Sequence, residues 1–174
     1  MVALKILSKL FKALRSNQSP RELAWGFVLG MILGLTPLWN LHNLVIIILI
    51  IVLRVNAAMS IAGFLLFSLF AFFFDPLFHS FGYWLLTDVS WLQPMWMSFA
   101  TTPVLAFSNY NNTLVLGSFV VSLFLIAPIY FLARQGVVQY RENLESRVQK
   151  FKLVQIVTGS KLYKLFQKFS HLGD

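Results

Sequence analysis

Hydrophobic and polar positions fall along this chain in blocks with helical spacing. In residues 2–16, Lys5, Lys9, Lys12 and Ser16 share one helical face while Leu4, Leu7, Phe11 and Leu14 share the opposite one. That is the pattern of a basic amphipathic helix, lying on a membrane surface or docked on the protein's own cytoplasmic face. A lysine at every turn breaks the apolar core that a signal peptide needs, so no cleavage is expected. Ser19-Pro20-Arg21-Glu22 then supplies an N-cap serine, a proline at the first helical position and a glutamate at the third, which predicts a new helix. From residue 23 to 38 this helix extends at most about 24 Å, short of a bilayer's roughly 30 Å hydrocarbon core. Gly26, Gly30 and Gly34 recur along it at four-residue spacing, a groove for close approach of another helix.

The apolar run then breaks at Thr36, Pro37, Leu38, Trp39, Asn40, Leu41, His42 and Asn43, resumes as an Ile/Val/Leu arm over residues 44–53, and stops at Arg54. Backbone broken at membrane depth survives only against other protein or beside a water-filled cavity, so this polar knot is the candidate site. Its two arms read as a re-entrant hairpin from the cytoplasm, the favoured arrangement, or as two tilted spans in a thinned region. Residues 57–74 form a fuller span, which Asp75 and Pro76 are expected to end while capping the next helix. Tyr83, Trp84, Trp91, Trp96 and Tyr110 form an aromatic belt for the non-cytoplasmic face. A second interruption, Thr102-Pro103 followed by Asn109, Asn111 and Asn112, echoes the first and raises an inverted repeat with its site between the halves. Residues 113–133 read as the one full-length uninterrupted span, closed by Arg134. The tail is amphipathic again, with Lys161, Lys164 and Lys168 opposing Leu162, Leu165, Phe166 and Phe169.

Composition turns these blocks into a class. Hydrophobic residues make up 58% of the 174, charged residues 11%, where a soluble domain carries roughly a quarter charged. The expected fold is therefore an all-α, polytopic membrane helix bundle with broken or re-entrant short helices and basic amphipathic helices at both termini. Its parts are a surface helix (1–18), a membrane domain (19–134) and a cytoplasmic helical tail (135–174). Basic residues crowd both ends and, between Arg21 and Arg134, only Arg54 is basic, which places both termini in the cytoplasm and implies an even number of crossings. The net charge of +8 accordingly reads as topology plus attraction to anionic headgroups, contacted by Lys5, Lys9, Lys12, Lys161, Lys164 and Lys168. No basic face on a soluble module supports nucleic-acid binding. Cysteine is absent, which excludes disulfides and thiolate chemistry.

Few groups could carry catalysis. Asp75 and His79 share a helix face by spacing, but a cap and an interfacial histidine account for both. Three histidines are too scattered for a zinc site, and no phosphate loop or nucleophile elbow occurs, so neither enzyme activity nor a metal or other cofactor is expected. In the knot, Thr36, Asn40, His42 and Asn43 offer donors and acceptors without fixed charge. They either cap broken helix ends or contact a substrate.

The run from Pro20 to Pro76, with glycines leading into Gly34-Leu35-Thr36-Pro37 and then Arg54-Val55-Asn56, resembles the bacterial membrane family known as domain of unknown function 2062. Members commonly carry Asn-Pro where this chain has Asp75-Pro76. The resemblance implies a bacterial inner-membrane location and an association with cell-envelope biogenesis without an established activity, while Arg54, Asn56, Asp75 and Pro76 are read from the sequence as cytoplasmic-side or cap positions. The expectation is a non-enzymatic inner-membrane subunit that anchors or recruits a partner in envelope or lipid transport, with a protein partner or as a homo-oligomer. The alternative is a small transporter or lipid flippase working through the hairpins around residues 36–43.

Overall fold

A computed structural model describes residues 2–144 and, among them, contains helices and no strand. In chain order these are α1 (Val2–Leu14), α2 (Pro20–Leu35), α3 (Leu41–Val52), α4 (Ala57–Thr87), α5 (Gln93–Thr101), α6 (Pro103–Ala106) and α7 (Thr113–Gln139), the last running on into a π turn at Tyr140–Leu144. Lys161, Lys164 and Lys168 lie outside the described residues, as does the side chain of Lys5.

Local chemistry starts the long helices. Ser19 Oγ accepts from the Glu22 amide at 3.3 Å and donates to the Glu22 carboxylate at 3.1 Å, with Pro20 opening α2. Asn56 Oδ1 accepts from the Met59 amide at the start of α4, and Asn112 Oδ1 accepts from the Leu114 and Val115 amides at the start of α7. Each cap satisfies an amide that the helix itself leaves without a partner.

Glycine brings α2 and α4 together side by side and parallel. Gly26 lies against the backbone of Asn56, Gly30 against Ser60 and Phe64, and Gly34 against Phe64 and Ser68, while Gly63 of α4 returns the contact to Phe27 and Met31. Because α2 and α4 run the same way from the same end, α3 must run back from the far end of α2 to the start of α4, so α2 and α3 form a hairpin. The third long helix, α7, is antiparallel to α4: Gly117 meets Gly82 near one end, and Val137 packs with Met59 and Leu23 near the other. Val28, Met31 and Ile32 of α2 are almost completely buried at the centre, with Ile46, Phe67 and Phe78 around them.

Asp75 and Pro76 do not end a helix: α4 runs through them for 31 residues, and α7 likewise runs through Pro128 and past Arg134. Asp75 is therefore an interior helical residue and not an N-cap, and Pro76 is not a first-turn proline. Proline deletes one backbone hydrogen bond, at a cost of about 3 kcal/mol in an ordinary helix. Breaking the helix outright among apolar surroundings would strand several backbone groups without water. Packing on either side, at Gly63 and Phe67 and then at Phe78 and Gly82, holds α4 in one piece. The span at residues 113–133 is thus not the single long one. Both α4 and α7 are long and apolar enough to cross a membrane, at about 46 and 40 Å.

The surface is the reverse of a soluble protein's. Leu44, Val45, Ile47, Ile48, Ile51 and Val52 of α3 are exposed, as are Leu69, Phe70, Phe72 and Phe73 of α4 and Phe124 and Phe131 of α7. At the opposite pole from the knot, α1 docks through Leu10, Ala13 and Leu14 onto Leu23, Met59 and Val137. Arg141 fastens it there. Its guanidinium donates to the carbonyls of Leu14, Ser16 and Gln18, each at 2.9 Å, so one side chain satisfies the frayed C-terminal end of α1. Beside this clamp the Asn56 amide donates to Gln18 Oε1, joining the starts of α2 and α4.

Candidate functional site

The interruption is shorter than the sequence pattern suggests, because Leu41, His42 and Asn43 already belong to the first turn of α3. The turn itself is organised by Asn43, which is fully buried. Its Nδ2 donates to the Pro37 carbonyl at 2.7 Å and to the Leu38 carbonyl at 3.3 Å, and its Oδ1 lies 2.8 Å from Thr36 Oγ1. The Thr36 hydroxyl carries one proton and lies equally close to Ile32 O, so it divides that proton between the end of α2 and Asn43. Asn40 Nδ2 donates to the same Pro37 carbonyl at 2.6 Å. Pro37, without an N–H of its own, acts here as an acceptor of two side-chain amides.

The second interruption reaches the first. Asn109 Nδ2 donates to Asn40 Oδ1 at 2.7 Å and lies 3.4 Å from the Trp39 carbonyl. Asn109 adopts a left-handed backbone (φ 54°), which asparagine tolerates better than most residues and which turns the chain toward α7 three residues before its cap. The two Thr-Pro segments are nevertheless built differently. The first joins helices of 16 and 12 residues, the second helices of 9 and 4, too short to be the arms of a matching hairpin.

His42 differs from its neighbours. Its ring packs on Phe119 of α7 with centroids 4.5 Å apart, and its Nε2 is buried without a hydrogen-bond partner. Thr36 and Asn43 spend their polar atoms on each other and on backbone, and Asn40 spends its own on the Pro37 carbonyl and on Asn109. What they make is a rigid turn, each bond contributing about 1 kcal/mol net and each orphaned group costing about 1–3. Trp39 stands at the apex, 93% exposed.

The remaining candidates are placed apart. Gly26, Gly30 and Gly34 sit in the α2–α4 contact, and Asn56 caps α4. Arg54 is exposed at the α3–α4 corner with a left-handed backbone (φ 52°). Lys9 and Lys12 are exposed on α1. His79 Nδ1 lies 2.5 Å from Thr113 Oγ1, so its partner is on α7 and not Asp75. Among the described residues no group of three or more His, Asp or Glu could hold a metal ion. Sequence reasoning missed Arg141 as a clamp, and also Ser118 and Ser122, which are completely buried on α7. The serine pair had a signal, small residues four apart next to Gly117.

A family model described as "Uncharacterized protein conserved in bacteria (DUF2062)" matches residues 5–145, which takes in α2–α7 with both interruptions. The chain belongs to this family. A relative from Treponema pallidum (strain Nichols), described as "Uncharacterized protein", is 27% identical over 161 residues, covering 92% of this chain and 99% of its own. No solved structure matches. Within the DUF2062 match, the hairpin tip, the glycine contacts and the Arg141 clamp are the features with defined geometry.

Proposed function

We propose that this DUF2062 protein is a non-enzymatic, multi-pass subunit of the bacterial inner membrane that anchors or recruits a partner in cell-envelope or lipid transport. The observation that carries this reading is the bare apolar face of α3 with its six exposed aliphatic residues, joined by the exposed phenylalanines of α4 and α7. Water would charge roughly 25 cal/mol for each Å² of such surface, and acyl chains charge nothing. Lys9, Lys12, Arg21, Arg54 and Arg141 lie at the pole where α2, α4 and α1 are joined, and the chain has no lysine or arginine from residue 55 to 133. That asymmetry supports a cytoplasmic location for this pole and a collar of cations for anionic headgroups.

The internally bonded turn supports a structural role for Thr36, Asn40 and Asn43. A flippase that moved its substrate through the knot would need those donors and acceptors free. The test uses the cysteine-free background. A single cysteine at Lys12 should resist an impermeant maleimide in intact spheroplasts and label after lysis, whereas one at Trp91 should label from outside. Gentle solubilisation should give a particle larger than one chain and its micelle. Release by alkaline carbonate, or a stable lone monomer, would count against the reading.

A further inference from the structure

The proposed membrane placement leads to a more specific property of the α3 flank, one that rests on that placement. Two polar markers bound the exposed apolar face of α3. At one end Arg54 is exposed and held by its left-handed backbone, two residues before Asn56 joins the start of α4 to Gln18 at the cationic pole. At the other end the turn carries exposed Trp39 and is tied through Asn40 to Asn109, beside the exposed Asn111 and Asn112 from which α7 departs. The tip is tied to the polar turn that leads into α7, while the end of α2 lies against Phe64 and Ser68 of α4; the polar turn is taken as the headgroup level on this side. Trp39 suits that level, since its amphipathic ring favours the headgroup boundary.

Between the markers lies α3 alone, 12 residues long, or about 18 Å of helix. An undisturbed hydrocarbon core is about 30 Å thick, and α4 and α7 are long enough to cross it. We propose that the α3 flank compresses the bilayer beside it and that phospholipids change leaflets along this thinned edge. The occupant of the face is the acyl chain, because the exposed side chains of its central stretch, Leu44 to Val52, are all aliphatic. Headgroups of both leaflets are drawn toward each other by Arg54 below and by the exposed Trp39 above. A short helix that tilts little leaves thinning as the response to mismatch, and α3 is held against tilting by buried Asn43 and Ile46.

The experiment uses the full chain in vesicles of phosphatidylethanolamine and phosphatidylglycerol. Nitroxides on single cysteines at positions 39, 47 and 54 are read for depth by oxygen and nickel-chelate accessibility. Labels at 39 and 54 should both report headgroup depth, and the label at 47 the deepest position. In the same vesicles, dithionite bleaching of an NBD-phosphatidylethanolamine probe should show leaflet exchange faster than in protein-free vesicles by about tenfold, which asks for only about 1.4 kcal/mol off the crossing barrier. The double variant Trp39→Leu, Arg54→Gly removes both markers at exposed positions, and glycine fits the left-handed backbone at 54. It should keep the size-exclusion profile and lose most of the acceleration. A label at 39 at the bilayer centre overturns the inference and leaves the membrane subunit standing. Failure of the chain to stay with the vesicles in alkaline carbonate overturns both. Exchange no faster than in protein-free vesicles, or unchanged in the double variant, overturns leaflet exchange at this edge.

Discussion

Replacing Gly30 by alanine sets two opposite effects against each other, and the structure decides between them. In a free helix the change is favourable by about 1 kcal/mol, because alanine loses less conformational entropy. At Gly30, however, an added Cβ would lie 2.7 Å from the Ser60 carbonyl carbon and 2.9 Å from the Phe64 amide, with the Ser60 oxygen nearer still. Carbon contacts are optimal at roughly 3.5–4.0 Å, so α2 and α4 must separate by about 1 Å or more. All the obstructing atoms are backbone, so no rotamer change relieves the overlap. Overpacking costs about 1–3 kcal/mol, and a rigid obstacle belongs at the upper part of that range. The net expectation is a loss of about 1–2 kcal/mol after the propensity gain is subtracted. Gly136 provides the internal control, since nothing lies within 4 Å of its added Cβ. Gly136→Ala should stabilise by up to about 1 kcal/mol. Thermal melts in mild detergent, followed by size-exclusion recovery, compare the two variants directly. If Gly30→Ala raises Tm as Gly136→Ala does, the close α2–α4 contact is wrong.

Three more perturbations test named contacts. Asn43→Ala removes both amide bonds to Pro37 and Leu38, whose carbonyls retain Asn40 as a donor, and should cost about 2–3 kcal/mol; a denaturant titration in mixed micelles that shows no loss refutes the turn. His42→Phe keeps an aromatic ring on Phe119 and removes a buried nitrogen without a partner, so Tm should rise, by an amount corresponding to about 1–3 kcal/mol. A fall in Tm would reveal a hydrogen bond that His42 makes in the folded protein. Arg141→Lys cannot reproduce three bonds from one planar fork, so hydrogen exchange at residues 11–18 should quicken nearly as much as in Arg141→Ala; full protection in the lysine variant would mean that charge alone holds α1.

The features legible in the sequence are those written in local spacing. Ser19, Pro20 and Glu22 announce the start of α2 because capping chemistry acts over three residues. Gly26, Gly30 and Gly34 announce a groove because four residues bring a helix back to one face. Thr36, Asn40 and Asn43 announce an interruption, although their spacing does not reveal that Thr36 bonds Asn43 or that both asparagines converge on the Pro37 carbonyl. Pro76 misleads for a physical reason: the rule that proline ends a helix assumes water is there to take the released backbone groups. Asn109 with Asn40 and Arg141 with Leu14 were unreadable in pairing, since 69 and 127 residues separate the partners and no local pattern encodes such a distance. Each of these residues looked like something simpler, a loop asparagine or a topology charge.

The Arg141 clamp also bears on the order in which the molecule is made. The carbonyls it holds belong to residues 14–18, and the guanidinium that satisfies them is synthesised 123–127 residues later. During that interval α1 has no Arg141 to fix it while α2, the hairpin turn and α4 assemble. Closing a loop of that length is also among the slower steps available to a chain. The joint between α1 and the end of α7 is therefore a completion mark for the described residues, formed only after α7 has packed antiparallel to α4.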